Sequence, residues 1–346
     1  MTSFAADATV AELGESGILR LIERFCSNQV GDDAALMGRM AADQEMVITT
    51  DMLIENVHFS DATTSAYDVG WRAAAANLSD LAAMGAVPWG LLIALGLPKE
   101  TPISWLENMY QGFGECLKTY GTELVGGDTV RSPIRTLAVT AFGQVRQGAA
   151  WQRNTAQMGD AIVITGAHGL SKAGLMLLLE PEVYPMVPLS DAERELCYRA
   201  HQRPQPRLDI VQTIRELTDH QSIRITAMDS SDGLADALIQ LCQKSRVTAT
   251  IDWNTAPIPP VLEKVAGTRA GHWWLYGGED FELVLCMPVD LADQLCQVVP
   301  ECQVIGSITG TIPLDSDRLQ DGLPDSLPDD FYVSGLSRRD GFQHFS

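Results

Sequence analysis

The chain has 346 residues, 46% of them hydrophobic and 20% charged, and 45 acidic against 24 basic side chains give a formal charge of −21. That composition excludes a disordered, collagenous or disulfide-stapled chain. A surface this acidic repels nucleic acid and anionic lipid, so neither is an expected partner.

The elements read in order as an alternating α/β pattern. A short helix is expected over residues 17–25, then a Gly-Asp-Asp turn at 31–33 and a strand over 46–50 running into Asp51. A helix rich in Ala and Leu covers 68–84, closed by Gly85 and Pro88. A buried strand follows at 89–97, a helix at 103–120, the Gly126-Gly127-Asp128 turn after 123–125, and a strand at 134–145. The pattern restarts near 150, with the boundary placed at 148–159, so residues 1–150 and 151–346 are expected to form two α/β domains. In the second, strands are expected at 161–165, 223–228, 281–287 and 304–308, and helices at 171–179, 207–217, 233–245 and 291–299. Residues 180–206 read as loop plus short helix, and 315–330 as a weakly ordered connector. Periodicity leaves open whether the sheets are parallel or mixed.

Seven cysteines, scattered and without a C-x-x-C pair, read as buried thiols in a reducing compartment rather than a zinc site. No export signal is visible, and the 89–97 run is too short to span a bilayer, so a soluble cytoplasmic protein is expected.

The chemistry lies in aspartates flanked by small residues at the ends of apolar elements. They are Gly31-Asp32-Asp33, Thr49-Thr50-Asp51, Asn77-Leu78-Ser79-Asp80, Gly126-Gly127-Asp128 and Asp229-Ser230-Ser231-Asp232-Gly233. Small neighbours admit a ligand close to the backbone, and a carboxylate beside apolar sequence needs a partner or a metal. No lysine lies between Met1 and Pro98, so hard divalent cations, magnesium foremost, would supply the positive field. Asn77, Asp80 and Met84 share one helix face, either pointing into a site or forming a polar stripe on a buried helix. Walker-type G-x-x-x-x-G-K-[ST] and the kinase His-Arg-Asp are both absent, which disfavours a P-loop ATPase and a protein kinase.

Taken in order, GDDAAL (31–36), TTDMLIENVHF (49–59), NLSDLAAMGAVP (77–88), GGDT (126–129), QRNTAQMGD (152–160), MDSSDGL (228–234), GGEDFEL (277–283) and GFQHF (341–345) resemble the thiamine-monophosphate kinase family. That family belongs to the aminoimidazole-ribonucleotide-synthetase-like ATP-binding superfamily. The resemblance implies ATP-dependent phosphorylation of thiamine monophosphate to thiamine diphosphate, by direct in-line transfer and without a phosphoenzyme. It implies two α/β domains of that superfamily's type, the first pairing with its counterpart through sheet edges in a homodimer. Asp33, Thr49, Thr50, Asp51, Asp80, Asp128, Asp229 and Asp232 would surround several magnesium ions, with Asp51, Asp80, Asp128 and Asp229 central to catalysis. Gly127, Asp128, Arg153 and Ser231 would contact ATP, and His58, Glu279 and Phe342 would hold thiamine monophosphate. Two rivals remain: another ATP-using enzyme of the superfamily, such as a selenophosphate-synthetase-like protein, and a non-catalytic metal- or thiamine-binding module. The first is disfavoured because the only early cysteine, Cys26, has no lysine nearby.

Overall fold

A computed structural model of the chain describes residues 8–27, 34–312 and 329–341. The Gly-Asp-Asp turn with Asp33, most of the 315–330 connector, and Phe342 lie outside the described residues. Two compact units emerge, one of residues 1–81, 86–147 and 202–204, the other of 82–85, 148–201 and 205–346.

The first unit runs α1 (Val10–Ile22), β1 (Gln44–Ile54), α2 (Ala66–Ala83), β2 (Val87–Leu97), α3 (Ile103–Thr119), β3 (Leu124–Arg131) and β4 (Thr136–Arg146). Helix α1 begins seven residues before the expected helix. Thr9 and Glu12 form a capping box that starts it there, and Gly14 breaks the helical geometry at φ 69°. The sheet order is β1-β4-β2-β3, with β4 antiparallel to both neighbours and β2 parallel to β3. The parallel pair needs a crossover, which α3 supplies. Leu53, Ile93, Leu95, Leu137, Val139 and Ala141 are buried on one face. On the other, Met46, Ile48 and Met52 of β1 stay 45%, 58% and 50% exposed, as does Val130 on the opposite edge strand, β3.

The strand expected over 46–50 is β1, which continues through Asp51 to Ile54, whereas the expected Gly126-Gly127-Asp128 turn is strand, inside β3. Glycine is needed at 127, because a Cβ there would stand 2.1 Å from the Ile93 carbonyl oxygen of β2. Cross-strand closeness, which local sequence does not display, turns a turn-like motif into a strand.

The second unit contains β5 (Ala161–Ile164), α4 (Leu170–Leu179), α5 (Asp191–Gln202), α6 (Leu208–Leu217), β6 (Thr226–Asp229), α7 (Leu234–Ser245) and β7 (Val247–Ile251). It continues with α8 (Pro260–Ala266), α9 (Ala270–Tyr276), β8 (Leu283–Met287), α10 (Val289–Val298), β9 (Gln303–Thr311) and α11 (Asp329–Tyr332). Its sheet, β6-β8-β5-β9-β7, is antiparallel at every pairing. Both faces are covered. Ile162, Ile164, Val284 and Cys286 join the core with α4, α7, α8 and α9, whereas Ala161, Val163, Leu283 and Leu285 join the core with α6 and α10. This is why these strands read as continuous apolar runs. Strand β7 and helices α8 and α9 were not anticipated, and α5 is a twelve-residue helix where loop plus short helix was expected. Only Cys197 and His201 of α5 are buried, so its apolar stripe is too thin to read as a period.

Candidate active site

In the first unit, α2 sets three of the expected acidic-site residues against one another. The fully buried Asn77 accepts a hydrogen bond from the Asp51 backbone N–H through Oδ1 (3.1 Å) and donates through Nδ2 to the Ala73 carbonyl (3.0 Å). One turn on, the Asp80 carboxylate accepts from the Thr49 hydroxyl. Alternation along β1 therefore puts Thr49 and Asp51 on the face beneath α2 and Thr50 on the opposite one, where its hydroxyl donates to the Val139 carbonyl (2.8 Å). Asp128 of β3 sits in the same cross-strand row as Ala94, Ala138 and Met52, hence on the face of Thr50 and three strands from β1. Its Oδ1 accepts from the N–H of Thr129 (2.8 Å). The structure thus gathers Thr49, Asp51 and Asp80, and leaves Thr50 and Asp128 on the other side of the same sheet.

His58 stands on the loop that follows β1. Its Nδ1 accepts from the Ile54 N–H (3.1 Å), so the neutral ring carries its proton on Nε2, a donor suited to a phosphate oxygen.

In the second unit two distant motifs meet at the ends of β6 and β8. Asp229 pairs with Leu283, the Ser230 N–H donates to the Glu282 carbonyl (2.8 Å), and the Glu279 N–H donates to the Ser231 carbonyl (2.7 Å). A Cβ on Gly278 would come 2.7 Å from the Ser231 carbonyl oxygen, so glycine is required where these turns touch. The Ser231 hydroxyl donates to Asp229 (3.1 Å), which is buried, while Asp232 is exposed. Arg153 is exposed and donates to Gln240 of α7 (3.2 Å).

Glu279 and Phe281 both take left-handed backbone conformations, φ 66° and 54°, a costly arrangement that its surroundings must hold. Asp280 between them holds it: its carboxylate accepts from the Gly169 and Ser171 amides (2.6 and 2.8 Å) at the start of α4. Burial pushes this carboxyl up to about 8, against the pull of those two amides. Behind Glu279 lies the buried His201, with Nδ1 3.8 Å from the Glu279 carboxylate and 3.2 Å from the Ser171 hydroxyl. Neither Asp280 nor His201 was singled out from the sequence. Asp280 stands inside a quoted motif, whereas nothing local marks His201.

The side chains of Thr49, Asp51 and Asp80 all offer hard oxygens, which suits magnesium rather than zinc or copper. Among the described residues no three His, Cys, Asp or Glu side chains converge on one point. Magnesium does not require that, since it commonly takes one or two carboxylates and completes its shell with waters and substrate phosphates. The residues present therefore fit the ion.

Residues 31–145 match the family described as AIR synthase related protein, N-terminal domain. The first unit is thus an AIR-synthase-related fold, and solved structures extend the likeness along the chain. The thiamine-monophosphate kinase of Stenotrophomonas maltophilia is 33% identical with TM-score 0.73, covering 87% of this chain and 95% of that one. "AaThiL complexed with AMPPCP and TMP" is 30% identical with TM-score 0.69, covering 90% and 96%. In sequence, thiamine-monophosphate kinase of Synechococcus elongatus is 45% identical over 344 residues, 99% of each chain. The chain belongs to the thiamine-monophosphate kinase family.

Proposed function

We propose that the protein transfers the γ-phosphoryl group of ATP to thiamine monophosphate, yielding thiamine diphosphate and ADP, with several magnesium ions and in the cytoplasm. The observation that carries this reading is the oxygen-only set Thr49, Asp51 and Asp80, locked together by α2 in a chain aligned end to end with this family. All seven cysteines are free, in keeping with a reducing compartment, and no helix among the described residues is long and apolar enough to cross a membrane.

Asp51 and Asp80 with Thr49 would hold metal, and Asp33, Thr50, Asp128, Asp229 and Asp232 are assigned to the same task. Magnesium, when bound, screens the charge of two polyanions and bridges phosphate oxygens. Gly127, Asp128, Arg153 and Ser231 are assigned to ATP, the bare backbone of Gly127 allowing a phosphate to approach. His58 would donate from Nε2 to the thiamine phosphate, Glu279 would accept from the aminopyrimidine, and Phe342 would offer its ring face. In this division residues 1–150 supply the metal and nucleotide ligands of the first domain, and 151–346 complete the nucleotide and substrate contacts. The acceptor phosphate oxygen is already anionic, so no general base is needed. Positioning and charge screening do the work, and no phosphoenzyme forms.

A second copy of the chain is proposed to cover the open face of the first sheet, through β1. That strand is an eleven-residue edge with an apolar outer side, a surface that soluble monomers avoid. Ile48→Lys is expected to convert a dimer to a monomer in light scattering; a monomeric wild type at micromolar concentration overturns the dimer.

The test of function is magnesium- and ATP-dependent conversion of thiamine monophosphate with stoichiometric ADP release. Asp51→Asn and Asp80→Asn should each lower turnover by about a hundredfold or more. Near-normal turnover at saturating magnesium would sink the metal assignment, and tight binding without ADP release would make the protein a binding module. Radiolabel trapped covalently on the protein in a quenched single turnover would refute direct transfer.

A further inference from the structure

We infer that Arg135 is a positioning residue for thiamine monophosphate, clamping both ends of the 55–61 loop that carries His58. The inference rests on the reading of His58 as a substrate contact.

After β1 the chain reverses within a few residues. The Val57 and His58 amides donate to the Ile54 carbonyl (3.1 and 2.9 Å), the Asn56 amide donates to the Phe59 carbonyl (2.8 Å), and Asn56 sits at φ 65°. These bonds shape the tip. They do not fix the loop to the rest of the unit, and one side chain from another part of the chain does. Arg135, the residue before β4, pairs through its backbone with Glu55: the Glu55 N–H donates to the Arg135 carbonyl and the Arg135 N–H donates to Glu55 Oε2, both at 3.0 Å. Its guanidinium then lies 3.3 Å from Glu55 Oε1 at the near end of the loop. At the far end it makes two bonds, of 2.6 and 3.0 Å, to the two oxygens of Asp61. The Arg135 guanidinium also lies over the Trp105 ring of α3, at 4.9 Å from the centroid.

An exposed ion pair is usually worth little. Here the arginine and Glu55 side chains are only 15% and 17% exposed, and the Asp61 side chain, 69% exposed, is held by a bidentate contact. Guanidinium geometry is essential to that grip, because a lysine ammonium offers neither the fork nor the ring stacking. Without the cation, Glu55 and Asp61 would repel each other and spread the loop, moving the His58 donor away from the phosphate it serves. Nothing in the quoted motifs marks Arg135, which stands between GGDT and the next strand.

Steady-state kinetics on the full-length protein test this, varying thiamine monophosphate at saturating ATP and magnesium and then the converse. Arg135→Gln is expected to raise KM for thiamine monophosphate about tenfold, leaving KM for ATP within about twofold, and Arg135→Lys should restore only part. The double variant His58→Gln/Arg135→Gln should be no worse than His58→Gln alone, because one residue acts through the other. Amide hydrogen exchange across 55–61 should quicken in Arg135→Gln with β1 still protected. Should that variant fail to fold, Asp61→Asn releases the far end alone and should give the same selective rise, about threefold. An unchanged KM for thiamine monophosphate in a folded Arg135→Gln or Asp61→Asn protein, a parallel rise for both substrates, or additive effects in the double variant overturns the clamp. A normal KM in His58→Gln refutes instead the substrate role of His58, and the positioning claim falls with it; an impaired His58→Gln beside a normal Arg135→Gln refutes the clamp alone.

Discussion

Asn77 joins the helix that carries Asp80 to the strand that carries Asp51, and it does so with both ends of one amide. Its side chain is wholly buried, so removing the amide takes out both hydrogen bonds, the one from the half-buried Asp51 N–H and the one to the Ala73 carbonyl. Each such bond contributes about 0.5–1.5 kcal/mol. Asn77→Leu, similar in volume, is therefore expected to lower the unfolding free energy by about 1–3 kcal/mol and to weaken magnesium activation, because β1 loses its register against α2. A variant with wild-type stability and magnesium dependence would show that the Asp51 amide is satisfied another way. From the sequence Asn77 reads either as a site residue or as part of a buried polar stripe; the structure makes it a brace for the site.

Between elements, α2 and α3 cross at two reciprocal glycines. A Cβ on Gly70 would stand 1.9 Å from the Met109 carbonyl oxygen, and one on Gly112 would stand 1.9 Å from that of Tyr67. The helices therefore touch backbone to backbone, and a methyl group at either position must push them apart. Gly112→Ala is expected to destabilise the protein by about 1–3 kcal/mol, despite alanine's better helix propensity. Gly114, two residues on in α3, has nothing within 4 Å of its would-be Cβ, so Gly114→Ala should stabilise by about 0.5–1 kcal/mol. Urea melts of the two variants give opposite signs if the crossing is as close as described; equal signs contradict it.

Over the whole molecule, pH acts through a group that has no assigned part in binding. His168 is fully buried, and neither ring nitrogen has a partner among the described residues. Burial, helped by the nearby Arg207 charge, holds its imidazole down at about 3. In the unfolded chain the ring titrates near 6.5, so between those values the unfolded state binds a proton that the native state refuses. Its contribution to stability is thus complete above about 6.5 and drains away as pH falls toward 3, by at most about 1.4 kcal/mol per unit. Losing carboxylate charge relieves self-repulsion over part of the same range, so the difference between wild type and His168→Gln is the quantity to follow. Unfolding free energies at pH 7, 6 and 5 should converge for the two proteins as pH falls; a constant gap would mean the ring is already protonated or solvated in the native state.

Length, periodicity and motif order determined the α/β character, the positions of α2, β2, α3 and β4 to within about two residues, and the family to which the chain belongs. These are local properties, or the order of local motifs, and they survive in one dimension. Only the tertiary structure decided that the first sheet is mixed and the second antiparallel, because an apolar run records that a face is buried and not which strand lies beside it. The same reason explains why Gly126-Gly127-Asp128 is strand rather than turn, and why Thr50 and Asp128 face away from Asp80. Asn77 against Asp51, Arg135 around the His58 loop and Asp280 at the start of α4 are meetings of residues 26 to 111 positions apart or drawn from separate elements. Such contacts are fixed by how the elements pack, which no stretch of sequence records on its own.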